Sequence, residues 1–348
     1  MPPSAGPLVG RGHPFDLTEC DYYNEVTDPL GYGRFRDKME LQRILDDISD
    51  EGRSLPPARL YMLSDLRREE LTLFAERWPA ISAARRRHII GTLVEIAEAN
   101  FTVDFNSIFR LGLADEDAQV RAHAVDGLWE DRSPDLVDTL LDLLSSDPSI
   151  IVRAAAAAGL GRFVLMAELE ELEDELGHKI VQGLSNVIED PNEALEPRRR
   201  AVEAISYSGQ VDVPALIEEA YGHPAEKMRV SAVFSMGRSA DRSWGSTVIR
   251  ELGSPNAEMR FEAARSCGEL QVREAVPDLT RMIADSDREV QQAAISALGK
   301  IGGQEARRAL RICCESEDEV IAKAGGDALS ELELTAGLFE AFLNDEEV

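Results

Sequence analysis

Five histidines and four cysteines are the side chains best suited to metal or nucleophilic chemistry, and their spacing supports neither. Cys20, Cys267, Cys313 and Cys314 form no CxxC pair, and on a helix the adjacent Cys313 and Cys314 point in different directions, as packing residues do. The histidines, His13, His88, His123, His178 and His223, are too few and too scattered for a His-based metal cluster. The sequence has no GxxxxGK[ST] phosphate loop, no GxSxG nucleophile elbow and no DxDxDG calcium loop. Carboxylates are so abundant that acidic pairs carry no weight, and neither a catalytic residue nor a cofactor is expected.

Arginine does recur at a regular spacing. Arg86, Arg121, Arg153, Arg198, Arg229 and Arg260 share one position in the apolar pattern, with Gln291 and Ala322 in the last two slots. The steps are 35, 32, 45, 31, 31, 31 and 31 residues. A ladder of this kind either bonds turns and neighbouring repeats or meets an acidic partner.

The element that positions each arginine is legible in SDREVQQAAISALGKIGG, Ser286 to Gly303. Val290, Ala294, Ile295 and Leu298 fall on one helical face, Asp287 stands where it caps the first turn, and Gly302 and Gly303 end the run. The same pattern recurs as helix pairs, A then B, separated by acidic or proline-bearing turns. A repeat this short cannot close a core alone, so the units must stack.

Composition agrees with closely packed helices: 44% hydrophobic but only 6% aromatic. The formal charge of −28 argues against a general nucleic-acid binder, because phosphate contacts need a basic footprint. Arg85-Arg86-Arg87 and Arg198-Arg199-Arg200 are the basic runs, and Trp78, Trp129 and Trp244 read as packing wedges rather than base-stacking groups. No apolar run of eighteen residues and no signal-type leader is evident, so no membrane partner and a cytoplasmic setting are expected.

In order, residues 1–36 form a Pro/Gly/aromatic arm expected to be flexible, and residues 37–64 a helical N-terminal cap. Residues 65–332 hold the repeats, with an acidic insertion at about 163–178 that explains the 45-residue step. Residues 333–348 are expected to form a short C-terminal helix and an acidic tail.

DAQVRAHAVDGL, PSIIVRAAAAAGLG, AEMRFEAARSCGEL and DREVQQAAISALGKIGG together resemble HEAT repeats, of the short subtype also found in phycobilisome bilin lyases. The resemblance implies an all-α, right-handed solenoid of about eight helix pairs with N- and C-terminal caps. It also implies that the slot arginines bond within the stack, Asp117 with Arg121 among them. HEAT-type deoxyhypusine hydroxylases hold iron with His-Glu pairs. Here the histidines are followed by Pro14, Ile89, Ala124, Lys179 and Pro224, so that activity is not expected.

In HEAT proteins the B helices line the concave side, which would place His123, Asp126, Glu203, Arg265 and Ser296 in a partner-binding groove. The function expected is a non-catalytic scaffold or adaptor whose acidic surface holds another protein with a basic surface, or an extended peptide. A bilin-lyase-like or chaperone-like role is the alternative, and nucleic-acid binding ranks below both.

Overall fold

The computed structural model describes residues 38–209 and 213–345, and among these there is no β-strand. Residues 1–36, the expected arm, lie outside the described part. Helices α1 (Lys38–Ser49) and α2 (Pro57–Tyr61) come first. Eight pairs then follow. They are α3 (Arg68–Arg77) with α4 (Ala83–Ala99), α5 (Asn106–Gly112) with α6 (Ala118–Gly127), α7 (Asp135–Ser146) with α8 (Ile150–Glu168), and α9 (Asp174–Glu189) with α10 (Leu195–Ile205). After these come α11 (Val213–Tyr221) with α12 (Glu226–Arg238), α13 (Gly245–Glu251) with α14 (Ala257–Glu269), α15 (Val276–Met282) with α16 (Arg288–Ile301), and α17 (Gly303–Cys314) with α18 (Glu319–Asp345). The chain is an α-solenoid.

Side-chain caps start several of the B helices. Asp117 accepts from the amides of Gln119 and Val120, Asp287 from those of Glu289 and Val290, and Asn256 from that of Glu258. At the other end of α16, Gly302 takes a positive φ of 67°, which a residue with a Cβ adopts only under strain. Gly303 does not belong to that stop; it opens α17.

Each B helix packs on the next, α4 on α6 through to α16 on α18, whereas the A helices touch one another far less. Small residues make this possible. A Cβ on Gly237 would lie 2.9 Å from the Cα of Ser266, and one on Gly268 would lie 2.9 Å from the Cα of Ala297. Ser266 Oγ also donates to the Val233 carbonyl across the seam, at 2.8 Å. Close B–B and loose A–A spacing bends the stack towards its B face.

The N-terminal helices cover the open end of unit 1. Leu41, Ile44, Leu45, Ile48, Leu60 and Leu63 are buried, and Arg85 Nε donates to the Ile48 carbonyl. Met39, on the other side of α1, is exposed.

The acidic insertion proves to be mostly helix. It lengthens α8 to Glu168 and supplies the start of α9, with Glu170 in the left-handed region at the corner between them. Glu168 accepts from the Gly209 amide and Glu171 pairs with Arg132, so part of its charge is used inside the stack. At the C-terminus the last B helix does not stop at 332. It runs on to Asp345 as one helix, with no proline in ELELTAG to break it.

α8 is long and apolar enough to cross a membrane by length and composition, a match that the charges Arg153 and Arg162 hide from a search for uninterrupted apolar runs. Its apolarity is used in the stack, where it packs against α6, α7, α9 and α10.

Candidate partner-binding groove

The slot arginines act as clasps between units. Arg121 donates Nε and Nη2 to Asp147 at 2.8 and 2.9 Å, and Nη1 to the Asp115 carbonyl of its own turn at 2.8 Å. Arg153 binds Glu193 and Arg260 binds Asp285 in the same forked way, and Arg86 pairs with Asp115 through one hydrogen bond, from Nη2, each reaching the turn of the following unit. Gln291 keeps only the bond to its own turn, through the Asp285 carbonyl.

Asp117 does not pair with Arg121, contrary to what the family pattern implies. It caps α6 and takes both fork nitrogens of Arg87, one unit earlier, because the turn acid that reaches the slot is two residues upstream, at Asp115. The Arg87 hydrogen bonds bring the Asp117 carboxyl down to about 2. Trp78 is buried, stacks on Phe74 and donates Nε1 to Asp115, which makes it part of the same clasp.

The clasps fail in the middle of the stack. Arg198 donates to the Ile188 carbonyl at the end of α9, and Arg229 to the His223 and Pro224 carbonyls, all within their own units. The next turns carry His223-Pro224-Ala225 and Ser254-Pro255-Asn256, with no carboxylate to receive them.

A different connection replaces them on the B face of α10, α12 and α14. Arg199 donates to Ser231 Oγ at 3.0 Å, and Ser231 donates to Glu203. Arg200 donates to the other oxygen of Glu203 at 2.8 Å. Beyond this, Arg265 lies 4.3 Å and Arg238 5.5 Å from the centre of the Phe234 ring, and Arg238 also lies 5.7 Å from that of Tyr207. Their ion pairs are loose: Arg238 Nε to Glu269 at 3.5 Å, Arg265 Nε to Glu269 at 3.5 Å, and Arg265 Nη1 to Glu262 at 3.6 Å. None has hydrogen-bond geometry, so Arg238 Nε, Arg265 Nε and Nη2, Glu262 Oε2 and Glu269 Oε2 are buried with no hydrogen-bond partner.

Of the residues expected in a groove, Glu203 and Arg265 fall in this cluster. His123 and Asp126 form a separate pair on α6, 3.8 Å apart, and Ser296 is an exposed residue of α16. Burial pushes the Asp126 carboxyl up to about 6. The residues missed were Phe234, Arg238, Glu262, Glu269 and Tyr207. Their signal is the 31-residue step itself, which aligns Arg200, Ser231 and Glu262, then Glu203, Phe234 and Arg265, then Tyr207, Arg238 and Glu269 in three columns.

Glu262 gives the cluster a titration. Burial raises its carboxyl to about 7, reinforced by Glu203 on α10 and Glu269 on its own helix and opposed by Arg265 and by Arg238 on α12. A raised carboxyl stabilises the fold fully below its unfolded value and loses that contribution as pH rises through about 7. Asp117 and Asp285, held low by Arg87 and Arg260, act the opposite way, and their contribution is lost as pH falls. Thermal stability is therefore expected to peak at about pH 5. Glu262→Gln is expected to flatten the fall from pH 5 to 8 by about 2–3 kcal/mol, read from urea melts across that range. An unchanged slope in the variant would mean that Glu262 is already ionised and paired.

Two stretches, residues 108–180 and 245–330, match the family described as HEAT repeats. Each stretch falls on stacked helix pairs of the solenoid. The chain carries HEAT repeats. Among solved structures, this HEAT-repeat chain is similar to the CpcE and CpcF complex of phycocyanin lyase from Nostoc sp. PCC7120, at 15% identity and a TM-score of 0.50, covering 82% of this chain and 97% of that one. It is similar also to YibA of Escherichia coli, at 17% identity and a TM-score of 0.46 over 81% and 99% of the two chains. Human deoxyhypusine hydroxylase in complex with glycerol matches at 17% identity and a TM-score of 0.33 over 85% and 96%. At these identities the likeness is one of fold. No curated protein matches the sequence. Among the described residues no three His, Cys, Asp or Glu side chains are grouped to hold a metal ion.

Proposed function

We propose that this HEAT-repeat protein is a non-catalytic scaffold that holds a second protein, or an extended segment of one, in the groove along its B helices. The observation that carries this reading is the cluster on α10, α12 and α14: charged and aromatic side chains aligned by the repeat, with buried polar atoms left unpaired. Native stacks satisfy most such atoms internally, as Arg121, Arg153 and Arg260 do through their clasps, and five atoms without a hydrogen-bond partner gathered in one cluster suit contacts from outside. The net charge of −28 favours a partner that is basic overall and speeds its approach.

Affinity capture from native lysate tests the reading. At low salt a stable protein partner is expected, both with the full chain and with a chain lacking residues 1–36. The capture is expected to weaken steeply between 50 and 500 mM salt, because a Debye length of about 10 Å at 0.1 M shrinks further. Recovery unchanged in high salt would overturn the electrostatic account. Loss of the partner with the arm would move the site to the N-terminus, and a co-purifying pigment in place of a protein would replace the scaffold by a lyase-like activity.

A further inference from the structure

We infer that the cluster around Phe234 receives one carboxylate side chain, an Asp or Glu set within an otherwise basic segment of the partner, and that Arg238 and Arg265 hold it. This inference rests on the scaffold reading and names the anchor of that site. Four guanidinium groups, of Arg199, Arg200, Arg238 and Arg265, stand among four carboxylates, of Glu196, Glu203, Glu262 and Glu269. The two halves are used differently. Arg199 and Arg200 are committed to Glu196, Glu203 and Ser231 by hydrogen bonds of 2.8 to 3.1 Å. Arg238 and Arg265 have only the pairs at 3.5–3.6 Å, and three of their N–H groups are buried without a hydrogen-bond partner.

Those N–H groups belong to guanidinium planes set against an aromatic ring, which limits how far they swing. A fixed fork beside an apolar ring is suited to a carboxylate, which takes charge-assisted bonds from it while the stem packs on Phe234. Glu262 and Glu269 compete for the same nitrogens without reaching hydrogen-bond geometry. With Glu262 at about 7, part of the population at neutral pH has four cations against three anions here. An incoming carboxylate therefore drives protonation of Glu262, and its binding tightens as pH falls from 8 to 6.

The rest of the chain sets the context of this anchor. A field of −28 opposes an acidic ligand, so flanking basic residues must offset the approach of the acid. Three B helices at 8–10 Å spacing span about 20 Å, which about seven extended residues cover. The segment also lies over the two junctions that lack the arginine clasps, so its binding fastens units 4, 5 and 6 together.

Two labelled nine-residue peptides of Lys, Ser and Gly, one with a central Glu and one with Gln in its place, test this against the full chain by fluorescence anisotropy at low salt. The Glu peptide is expected to bind at least tenfold more tightly. Overall charge predicts the reverse order, so the preference requires a local cationic site. The advantage is expected to disappear in Arg238→Met/Arg265→Met. Because that variant could loosen the stack, Glu262→Gln is measured beside it and is expected to bind the Glu peptide at least threefold more tightly at pH 8. Equal affinity for the two peptides, binding of neither, or no response to Glu262→Gln overturns the carboxylate anchor. The scaffold reading fails separately, if low-salt capture yields no protein at all.

Discussion

Asp147→Ala is expected to destabilise the protein by about 3–5 kcal/mol, because it removes one partner of a buried charge pair and leaves the other. The Asp147 side chain is 4% exposed and that of Arg121 12%. Besides the two fork nitrogens of Arg121, the carboxylate accepts from the Ser149 amide at 2.8 Å, next to the start of α8. In the variant the guanidinium keeps only the carbonyls of Asp115 and Glu116. Burial pushes the Asp147 carboxyl up, but Arg121 and the Ser149 amide outweigh it and hold the group below its ordinary value. The carboxylate thus stabilises the fold above the ordinary carboxylate range and loses that effect as pH falls through its folded value. Urea melts at pH 7 should show the full difference between native and variant, and melts near pH 3 a much smaller one. A loss under about 1 kcal/mol at pH 7 would mean that the pair behaves as a solvent-screened surface bridge. Hydrogen exchange should open first at the seam between units 2 and 3, where this clasp sits.

The fold was legible because the repeat states the same physical requirement eight times. Val290, Ala294, Ile295 and Leu298 share one apolar face, Asp287 caps it, and all four are buried in α16 as their spacing requires. The arginine slot was legible for the same reason, but its partners were not. Asp115 and Asp117 differ by two residues in one turn, and only the packing against the preceding unit decides which of them meets Arg86 and which meets Arg87. The end of α18 was misjudged because nothing local separates a short closing helix from an extension of the last B helix. In the groove, Glu203 and Arg265 were found by register alone. Phe234 escaped because a lone aromatic reads as core, and its role is apparent only when Arg238 and Arg265 are seen against its ring. A column of like positions is visible in sequence; the failure of its members to pair with one another is a property of three dimensions.

Leu298→Ala is expected to cost about 2–5 kcal/mol, since a fully buried leucine loses both its transfer term and the contacts around the cavity left behind. Its helix, α16, packs against α14 on one side and α18 on the other, and within its own unit against α15. Collapse around the site is restricted, because Gly268 already brings α14 to within contact of Ala297, and Gly299 does the same for Ala328 of α18. The expected value therefore lies towards the upper end of that range. The distribution of the loss is more informative than its size. In a stack each unit is supported only by its neighbours, and unit 8 has a neighbour on one side alone, so weakening unit 7 releases both. Amide protection should fall across α15 to α18 and remain unchanged in α3 to α8, where the clasps of Arg86, Arg121 and Arg153 are intact. Uniform loss over all eight units would contradict nearest-neighbour stability and make the array a single cooperative block. Because α10 and α12 lie outside the released segment and α14 borders it, the same variant also separates the two halves of the proposed anchor: contacts to Phe234 and Arg238 should persist while those to Arg265 weaken.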